Sequence, residues 1–214
     1  MFAIQLATLH GIVVATTCST RNFEKAKNAG ATYIFDYNDE NTIQRIRQAM
    51  PQLSHVFDTI GNASSSAIAA RALNGQSGSL CTVRPGKANT EDVPEHVKVT
   101  DVFVFTAFPK PHTYRNSKHW PVSVSSLANN RRISLTWRCS PKVQMHNHTL
   151  SAELYSRLPT LIRDGLLRPA LVKTMGELIP EAVEKAMAMS REGQISGHKL
   201  CFQVSVQLCK RLRL

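Results

Sequence analysis

The stretch that decides the fold is IVVATTCSTRNFEKAKNAGATYIFDYND, residues 12–39. A β-branched apolar run at 12–16 leads into a short polar turn, and a helical pattern follows from Asn22 until Gly30 ends it. A second apolar run occupies residues 33–35. Apolar runs flanking an amphipathic helix predict a β-α-β unit with parallel strands.

The polar turn predicts where the chemistry lies. In dinucleotide-binding sheets a strand in this position ends beneath the adenosine ribose, where NAD-binding chains place an acidic residue on the 2′-hydroxyl. Here the turn contains Ser19, Thr20 and Arg21 instead. Hydroxyl donors and a guanidinium suit a 2′-phosphate, so the sequence predicts NADP rather than NAD. A helix-capping turn with a solvated Arg21 is the alternative.

The rest of the chain alternates between strand and helix patterns. Strands are expected at 56–58, 79–83, 102–108, 170–174 and 199–204, and helices at 2–9, 41–50, 64–73, 152–164 and 181–192. Residues 109–126 are rich in proline and serine and are expected to form a loop that includes His112 and His119. The alternation predicts an α/β protein with a doubly wound parallel sheet.

The net charge of +11 is unevenly distributed along the chain. Residues 1–104 contain nine basic and nine acidic side chains, and the excess lies in 105–150 and 205–214, with no acid in 126–150. A nucleic-acid-binding face would carry Lys and Arg throughout the periodic elements. We therefore expect no nucleic-acid partner, and a basic nucleic-acid-binding protein is kept only as a rival interpretation.

Cysteine usage and hydropathy exclude other classes. The five cysteines are scattered without a CxxC pair, which argues against a disulfide framework or a zinc ribbon. Cys139, His146 and His148 lie in a segment without carboxylates, so no metal site is expected. No apolar run reaches the roughly 20 residues of a membrane span, and no signal peptide is recognised. We expect a soluble, cytoplasmic protein with no membrane partner.

Short segments in both parts of the chain carry a family resemblance. They are FAIQLA at 2–7, HG at 10–11, ATTCS at 15–19, NF at 22–23, AGA at 29–31, FDY at 35–37, FDTIG at 57–61, LP at 158–159, DG at 164–165, PEA at 180–182 and ISGHKL at 195–200. Together they resemble medium-chain dehydrogenase/reductases and are most similar to zinc-independent, trans-acting enoyl reductases of fungal polyketide pathways. The match covers about residues 1–108 and 151–204.

This resemblance implies a domain organisation. Residues 1–125 would form a truncated, partial Rossmann-like NADP-binding domain, and 151–204 the C-terminal helices and closing strand of the medium-chain reductase fold. Residues 126–150 would be an irregular basic insert and 205–214 a basic tail. The family's N-terminal catalytic barrel and its glycine-rich phosphate loop find no counterpart in the sequence, so a truncated enzyme is expected.

The resemblance also implies roles for individual residues. Ser19, Thr20, Arg21 and Asn22 would surround the 2′-phosphate, Tyr37 the adenine, Val83 and Arg84 the middle of the cofactor, Ser196 and Gly197 its nicotinamide end, and Phe105, Thr106, Ala107 and Phe108 the acyl substrate. No catalytic residue is assigned. Asp58 follows a strand, where carboxylates commonly cap the next turn, and capping is preferred to catalysis for it.

In this family a hydride passes from NADPH to the β-carbon of an enoyl thioester, and the resulting enolate is protonated. The resemblance therefore implies NADPH as the cofactor and, as the substrate, an enoyl acyl thioester on an acyl carrier domain of a polyketide synthase. A non-catalytic remnant that binds NADP weakly or not at all remains an alternative.

Reversing the charge at Arg21 tests the predicted phosphate contact. We expect Arg21→Glu to raise the Kd for NADPH about tenfold or more, because a charge-assisted hydrogen bond is replaced by repulsion, and to change the Kd for NADH little. Titration of each reduced cofactor, followed by fluorescence, measures both values. Equal weakening of the two cofactors would contradict the 2′-phosphate role.

Overall fold

The computed structural model describes residues 1–75, 77–102, 104–108, 112–114, 118–120 and 145–204. Its helices are α1 (Phe2–Leu9), α2 (Phe23–Asn28), α3 (Thr42–Ala49), α4 (Ala63–Arg71), α5 (Met145–Arg163) and α6 (Pro180–Arg191). Its strands are β1 (Ala15–Cys18), β2 (Tyr33–Asp36), β3 (His55–Asp58), β4 (Gly78–Thr82), β5 (Val97–Asp101), β6 (His112–Tyr114), β7 (Lys118–Trp120), β8 (Leu171–Glu177) and β9 (His198–Gln203).

The chain divides into two units. The first contains Met1–Tyr37 with the described part of Leu161–Leu214, and the second contains Asn38–Thr160. The predicted alternation of helix with parallel strand is confirmed, since β1 pairs with β2, β3 with β4, β4 with β5, and β8 with β9, all in parallel. In the described residues these strands belong to separate sheets, ordered β1-β2, β3-β4-β5 and β8-β9.

The first unit begins with the predicted β-α-β element. Its core consists of small residues and one isoleucine, with Ile4, Ala26, Ala29 and Ala31 buried. Ala26 on α2 and Ala29, which caps its C-terminal end, are three residues apart and share one face, which lets the helix approach β1 and β2 closely. Gly30 follows α2 with φ of +99°, and the Thr8 hydroxyl donates to its carbonyl at 3.1 Å.

The first strand starts three residues later than its apolar run. The sequence predicted a strand at 12–16, whereas β1 spans Ala15–Cys18. Ile12 and Val13 are 58% and 56% exposed and precede the paired residues. The β-branched residues therefore predicted a strand in the right region of the chain, but the predicted start was three residues too early.

The C-terminal part of the first unit is a second β-α-β element. Strands β8 and β9 pair from Leu171–His198 onward, and α6 connects them. The side-chain amide of Gln5 on α1 reaches this element: its Nε2 donates to the Arg168 carbonyl at 3.2 Å, and its Oε1 accepts from the Arg168 amide at 2.7 Å. The Gln5 side chain therefore hydrogen-bonds both the backbone N–H and the carbonyl of Arg168, as the backbone of a neighbouring strand would.

The second unit is built on the sheet β3-β4-β5. Its core contains Ala70, Leu73, Leu80 and Val97, all buried. Gly78 begins β4 where a Cβ would lie 2.9 Å from the backbone oxygen of Ser54, so only glycine fits there without displacing backbone. The apolar positions of α4 and of the strands thus meet in one cluster.

The prediction of a strand at 102–108 is wrong. Strand β5 ends at Asp101, and Val104–Ala107 forms a 3₁₀ turn. The Asp101 carboxylate accepts from the Gly86 amide at 2.6 Å, which fixes the strand end, while Val104 is 62% exposed. The real strand alternates valine with Lys98 and is less apolar than the run after it.

The region after the 3₁₀ turn also departs from expectation. His112 and His119, placed in a loop by the sequence, lie in the antiparallel hairpin β6-β7. Threonine, tyrosine and tryptophan favour strands, and their effect outweighs the neighbouring prolines. Helix α5 begins at Met145, so the last six residues of the predicted irregular insert 126–150 are helical. Residues 126–144 and the tail 205–214 lie outside the described part.

None of the described helices combines the length and apolarity needed to cross a bilayer.

The cluster around Leu80 sets the stability of the second unit. Leu80 is 0% exposed, whereas Ile68 on α4 is 50% exposed. We expect Leu80→Ala to lower the free energy of unfolding by about 3 kcal/mol through lost burial and the cavity left behind. Ile68→Ala, a matched control, should cost less than about 1 kcal/mol. Urea unfolding measures both, and equal losses would contradict this description of the core.

Candidate nucleotide-binding site

The predicted cofactor turn follows β1 directly. Ser19 has an extended backbone, and Thr20–Asn22 forms one turn of 3₁₀ helix that continues into α2. The Asn22 amide donates to the Ser19 carbonyl at 2.9 Å and closes the turn. Polar residues are suited to this position because they leave the carboxyl end of a parallel strand, the edge at which open α/β sheets bind ligands.

The Asn22 side chain joins two distant segments of the chain. Its Nδ2 donates to the Ser19 hydroxyl at 3.2 Å and to the Ser196 hydroxyl at 2.9 Å, and the Ser196 hydroxyl also lies 3.2 Å from Asn22 Oδ1. All three side chains are partly buried. The structure therefore brings together residues that the sequence predicted separately as cofactor ligands.

Lys25 completes this cluster and was missed by the sequence prediction. Its Nζ donates to Asn22 Oδ1 at 3.3 Å and to the Ser196 carbonyl at 2.8 Å. Residues three apart face the same side of a helix, so the spacing from Asn22 was the available signal. We refer to Ser19, Asn22, Lys25 and Ser196 as the Asn22 cluster.

The resemblance implied Ser196 and Gly197 at the nicotinamide end of the cofactor, and that role stays a prediction. Direct hydrogen bonds from Asn22 and Lys25 to Ser196 place this segment beside the turn that follows β1. Sequence similarity located the segment and gave no information about its partner 174 positions away.

The other predicted residues of the first unit border the cluster in sequence. Thr20 and Arg21 are exposed on the turn itself. Tyr37 is 60% exposed and follows β2 at Asp36, which pairs with Cys18 at the end of β1. Because neighbouring parallel strands end at the same edge, Tyr37 and the turn leave the sheet on one side.

Cys18 precedes the turn and is a poor nucleophile. Burial raises the pKa of the Cys18 thiol, and the nearby Asp36 carboxylate raises it further. A thiol with a raised pKa stays protonated near neutral pH and is neither a strong nucleophile nor a ready metal ligand. The Asn22 cluster at the same edge presents hydroxyl, amide and ammonium groups.

Arg84 lies at the corresponding edge of the second unit. Its Nε donates to the Gly61 carbonyl at 2.9 Å, and Asn89 donates to the same oxygen at 2.9 Å. Val83 donates its amide to the Asp58 carbonyl at 3.2 Å. Both predicted residues are thus positioned by the loops that follow β3 and β4, and their contact with a cofactor stays a prediction.

A family model described as zinc-binding dehydrogenase matches residues 1–140. The chain belongs to the zinc-binding dehydrogenase family. It is 29% identical over 204 residues to the trans-enoyl reductase ACTTS2 of Alternaria alternata, a match over 94% of this chain and 51% of that protein. It is also 37% identical over 108 residues to the dual trans-enoyl reductase/FAD-dependent monooxygenase tazHJ of Aspergillus terreus, covering 50% and 15% of the two chains.

Solved structures show the same fold. The CurF ER cyclopropanase from the curacin A biosynthetic pathway matches with a TM-score of 0.60 and 15% identity, over 95% of this chain and 50% of that one. A quinone oxidoreductase of Pseudomonas syringae matches with a TM-score of 0.55 and 17% identity, over 93% and 52%. The expected medium-chain dehydrogenase/reductase resemblance is confirmed, and the chain spans about half the length of the relatives that it matches along most of its own length.

The family's name does not assign a metal to this chain. In the part that the structure describes, no group of three His, Cys, Asp or Glu side chains is arranged to hold an ion. Cys139 and the side chain of His146 lie outside the described residues. The His148 ring contacts the Ala107 carbonyl through Nδ1 at 2.8 Å.

The predicted substrate segment coincides with the 3₁₀ turn after β5. Phe108 is 53% exposed, and Ala107 is half-buried and receives the His148 contact. The side chains of Phe105 and Thr106 lie outside the described part. Acyl binding by this segment stays a prediction.

Asp58 has a structural role. Its carboxylate accepts four hydrogen bonds, from the amides of Ile60 (2.9 Å) and Gly61 (3.0 Å) and from the hydroxyls of Ser65 (2.7 Å) and Ser66 (2.8 Å). Burial acts to raise the pKa of this carboxyl, but the four donors outweigh burial and the pKa is lowered. The capping interpretation is confirmed, since the carboxylate holds the start of α4 against the end of β3.

Removing this carboxylate should destabilise the second unit. We expect Asp58→Ala to lower the free energy of unfolding by about 2–4 kcal/mol, because buried donors lose a charged acceptor. The folded-state pKa lies below the unfolded-state value of about 3.9, so the contribution is complete above about pH 5 and is lost as the pH falls through the folded-state value. Urea unfolding from pH 7 to pH 3 measures it, with Glu91→Ala at an exposed carboxylate as the control. A difference between Asp58→Ala and the parent chain that does not shrink in acid would contradict this role.

Proposed function

We propose that this chain is the nucleotide-binding part of an NADPH-dependent oxidoreductase of the enoyl reductase type, acting in fungal secondary metabolism. The observation that carries the proposal is the Asn22 cluster, in which both segments singled out for cofactor binding meet at the carboxyl end of β1. Trans-enoyl reductases among the relatives support the reaction type.

The donor set fits a phosphate group. Ser19 accepts from Asn22, which leaves its own hydroxyl proton available for another acceptor. Lys25 contributes an ammonium, and Arg21 in the preceding turn carries an exposed guanidinium. Charged donors and hydroxyls of this kind recognise phosphate oxygens. A ribose 2′-hydroxyl would need an acceptor such as a carboxylate, and none of the Asn22 cluster residues supplies one.

The chemistry follows from the reaction type. Bound NADPH would supply a hydride to the β-carbon of an α,β-unsaturated acyl thioester, and a proton taken up at the α-carbon would complete the reduction. The residues of this chain hold the adenosine end: the Asn22 cluster and Arg21 fix the 2′-phosphate, and Tyr37 lies beside the adenine. Val83 and Arg84 would contact the middle of the cofactor.

The substrate and partner belong to the same proposal. An enoyl acyl thioester carried on an acyl carrier domain of a polyketide synthase is the substrate class, with residues 105–108 near the acyl chain. We place the reaction in the cytoplasm, where NADPH is available. A non-catalytic cofactor module and a nucleic-acid-binding protein are the rival outcomes of the test.

Cofactor titration with and without substrate tests the proposal. The chain is titrated with NADPH and with NADH by fluorescence, and a crotonyl thioester is then added while the absorbance of the reduced cofactor is followed. We expect tighter binding of NADPH, because only NADPH carries the phosphate that the Asn22 cluster fits, and oxidation that depends on the thioester.

Other results would reject parts of the proposal. Binding of NADPH without oxidation would leave a cofactor module, and binding of neither cofactor would leave a remnant. Salt-sensitive binding to duplex DNA would favour the nucleic-acid interpretation, because contacts to phosphates release counterions.

A further inference from the structure

His198 uses only one of its two ring nitrogens. Its Nδ1 lies 3.0 Å from the Ser196 carbonyl oxygen. Its Nε2 is buried and has no hydrogen-bond partner among the described residues. A carbonyl oxygen only accepts hydrogen bonds, so Nδ1 is the donor, and a neutral imidazole then has no proton on Nε2. The contact therefore assigns the ring proton to Nδ1.

The Ser196 carbonyl is the acceptor that His198 shares with Lys25. Lys25 Nζ donates to the same oxygen at 2.8 Å. A carbonyl oxygen has two lone pairs, and here two donors use them. The peptide group that joins Ser196 to Gly197 is therefore bound by two side chains, one from α2 and one from β9.

The β8-β9 sheet fixes the backbone from which the His198 ring extends. His198 is the first residue of β9 and pairs with Leu171 of β8. From there the ring reaches back two residues across Gly197, which has φ of +68°. Glycine adopts this left-handed conformation without the strain of a side chain, and a Cβ here would also lie 2.6 Å from Lys25 Nζ. The sheet, the glycine and the ring nitrogen together determine the shape of the turn 195–198.

We propose that His198 is a positioning residue, which holds Ser196 where Asn22 and Lys25 bind it. The turn 195–198 is then ordered before a cofactor arrives, so less conformational entropy is lost on binding. His198 acts through the Ser196 backbone and needs no contact of its own with a ligand. The part of this inference that concerns the cofactor rests on the proposed function.

Two amide substitutions distinguish the ring nitrogens of His198. The side-chain nitrogen of asparagine lies close to the position of Nδ1 in histidine, and that of glutamine lies close to the position of Nε2. His198→Asn therefore keeps a donor for the Ser196 carbonyl, whereas His198→Gln moves the donor away from it. His10→Gln, at an exposed histidine after α1, is the matched control. Titration of the full chain with NADPH by fluorescence gives the Kd, and circular dichroism during heating verifies folding.

We expect His198→Gln to raise the Kd for NADPH about fivefold, the value of one neutral hydrogen bond, and His198→Asn and His10→Gln to change it less than about twofold. A role in packing alone would lower the melting temperature of both His198 variants and leave the Kd unchanged. That result, or equal weakening by His198→Asn and His198→Gln, overturns the proposal.

The position of the ring proton is measured without any cofactor. Nitrogen NMR of the isotope-labelled chain at about pH 8, where an unperturbed imidazole is neutral, separates protonated from unprotonated ring nitrogens. The spectrum of His198→Asn identifies the His198 signals by their loss. We expect a protonated Nδ1 and an unprotonated Nε2, and the reverse assignment overturns the proposal.

The two measurements separate this inference from the proposed function. If the unaltered chain does not bind NADPH, the proposed function fails, and the cofactor part of the inference fails with it. If the unaltered chain binds NADPH and His198→Gln binds it equally well, only the positioning role of His198 fails.

Discussion

The side-chain amide of Asn22 is the constraint around which the first unit arranges its polar groups. A planar amide offers two donors and one acceptor in fixed directions, and here all are used, toward Ser19, Ser196 and Lys25. Aspartate would lose the donors, and an apolar residue would leave both serines unpaired. One side chain thus links the turn after β1 to the turn before β9.

The sequence predicted the local β-α-β element well because its signals are local. Apolar runs at the strands, the helical pattern between them and Gly30 at the helix end all act within a few residues. Strand β5 was missed because Lys98 interrupts its apolar pattern. The strand was instead predicted at residues 102–108, which are more continuously apolar. Exposure of Val104 shows that apolar character alone does not decide pairing.

The sequence singled out individual residues of the candidate site but did not predict that they contact one another. The family resemblance singled out Ser19, Asn22 and Ser196, but no periodicity relates residues separated by 174 positions. The structure supplies that relation and adds Lys25, whose ammonium donates to the Ser196 carbonyl of the C-terminal turn. Asp58 shows the opposite case, since its capping partners lie within eight residues and the local pattern was sufficient.

The pairing of Gln5 with the backbone of Arg168 has a consequence for how the chain folds during synthesis. The first unit is discontinuous in sequence, and residues 38–160 of the second unit lie between its two parts. A ribosome releases the chain from its N-terminus at about 5–20 residues per second, so the second unit is complete while the first still lacks its partner segment. The N-terminal helix and the turn after β1 keep their polar groups in water until the C-terminal element emerges, so the hydrogen bonds of the Asn22 cluster form only after residue 196 has been synthesised.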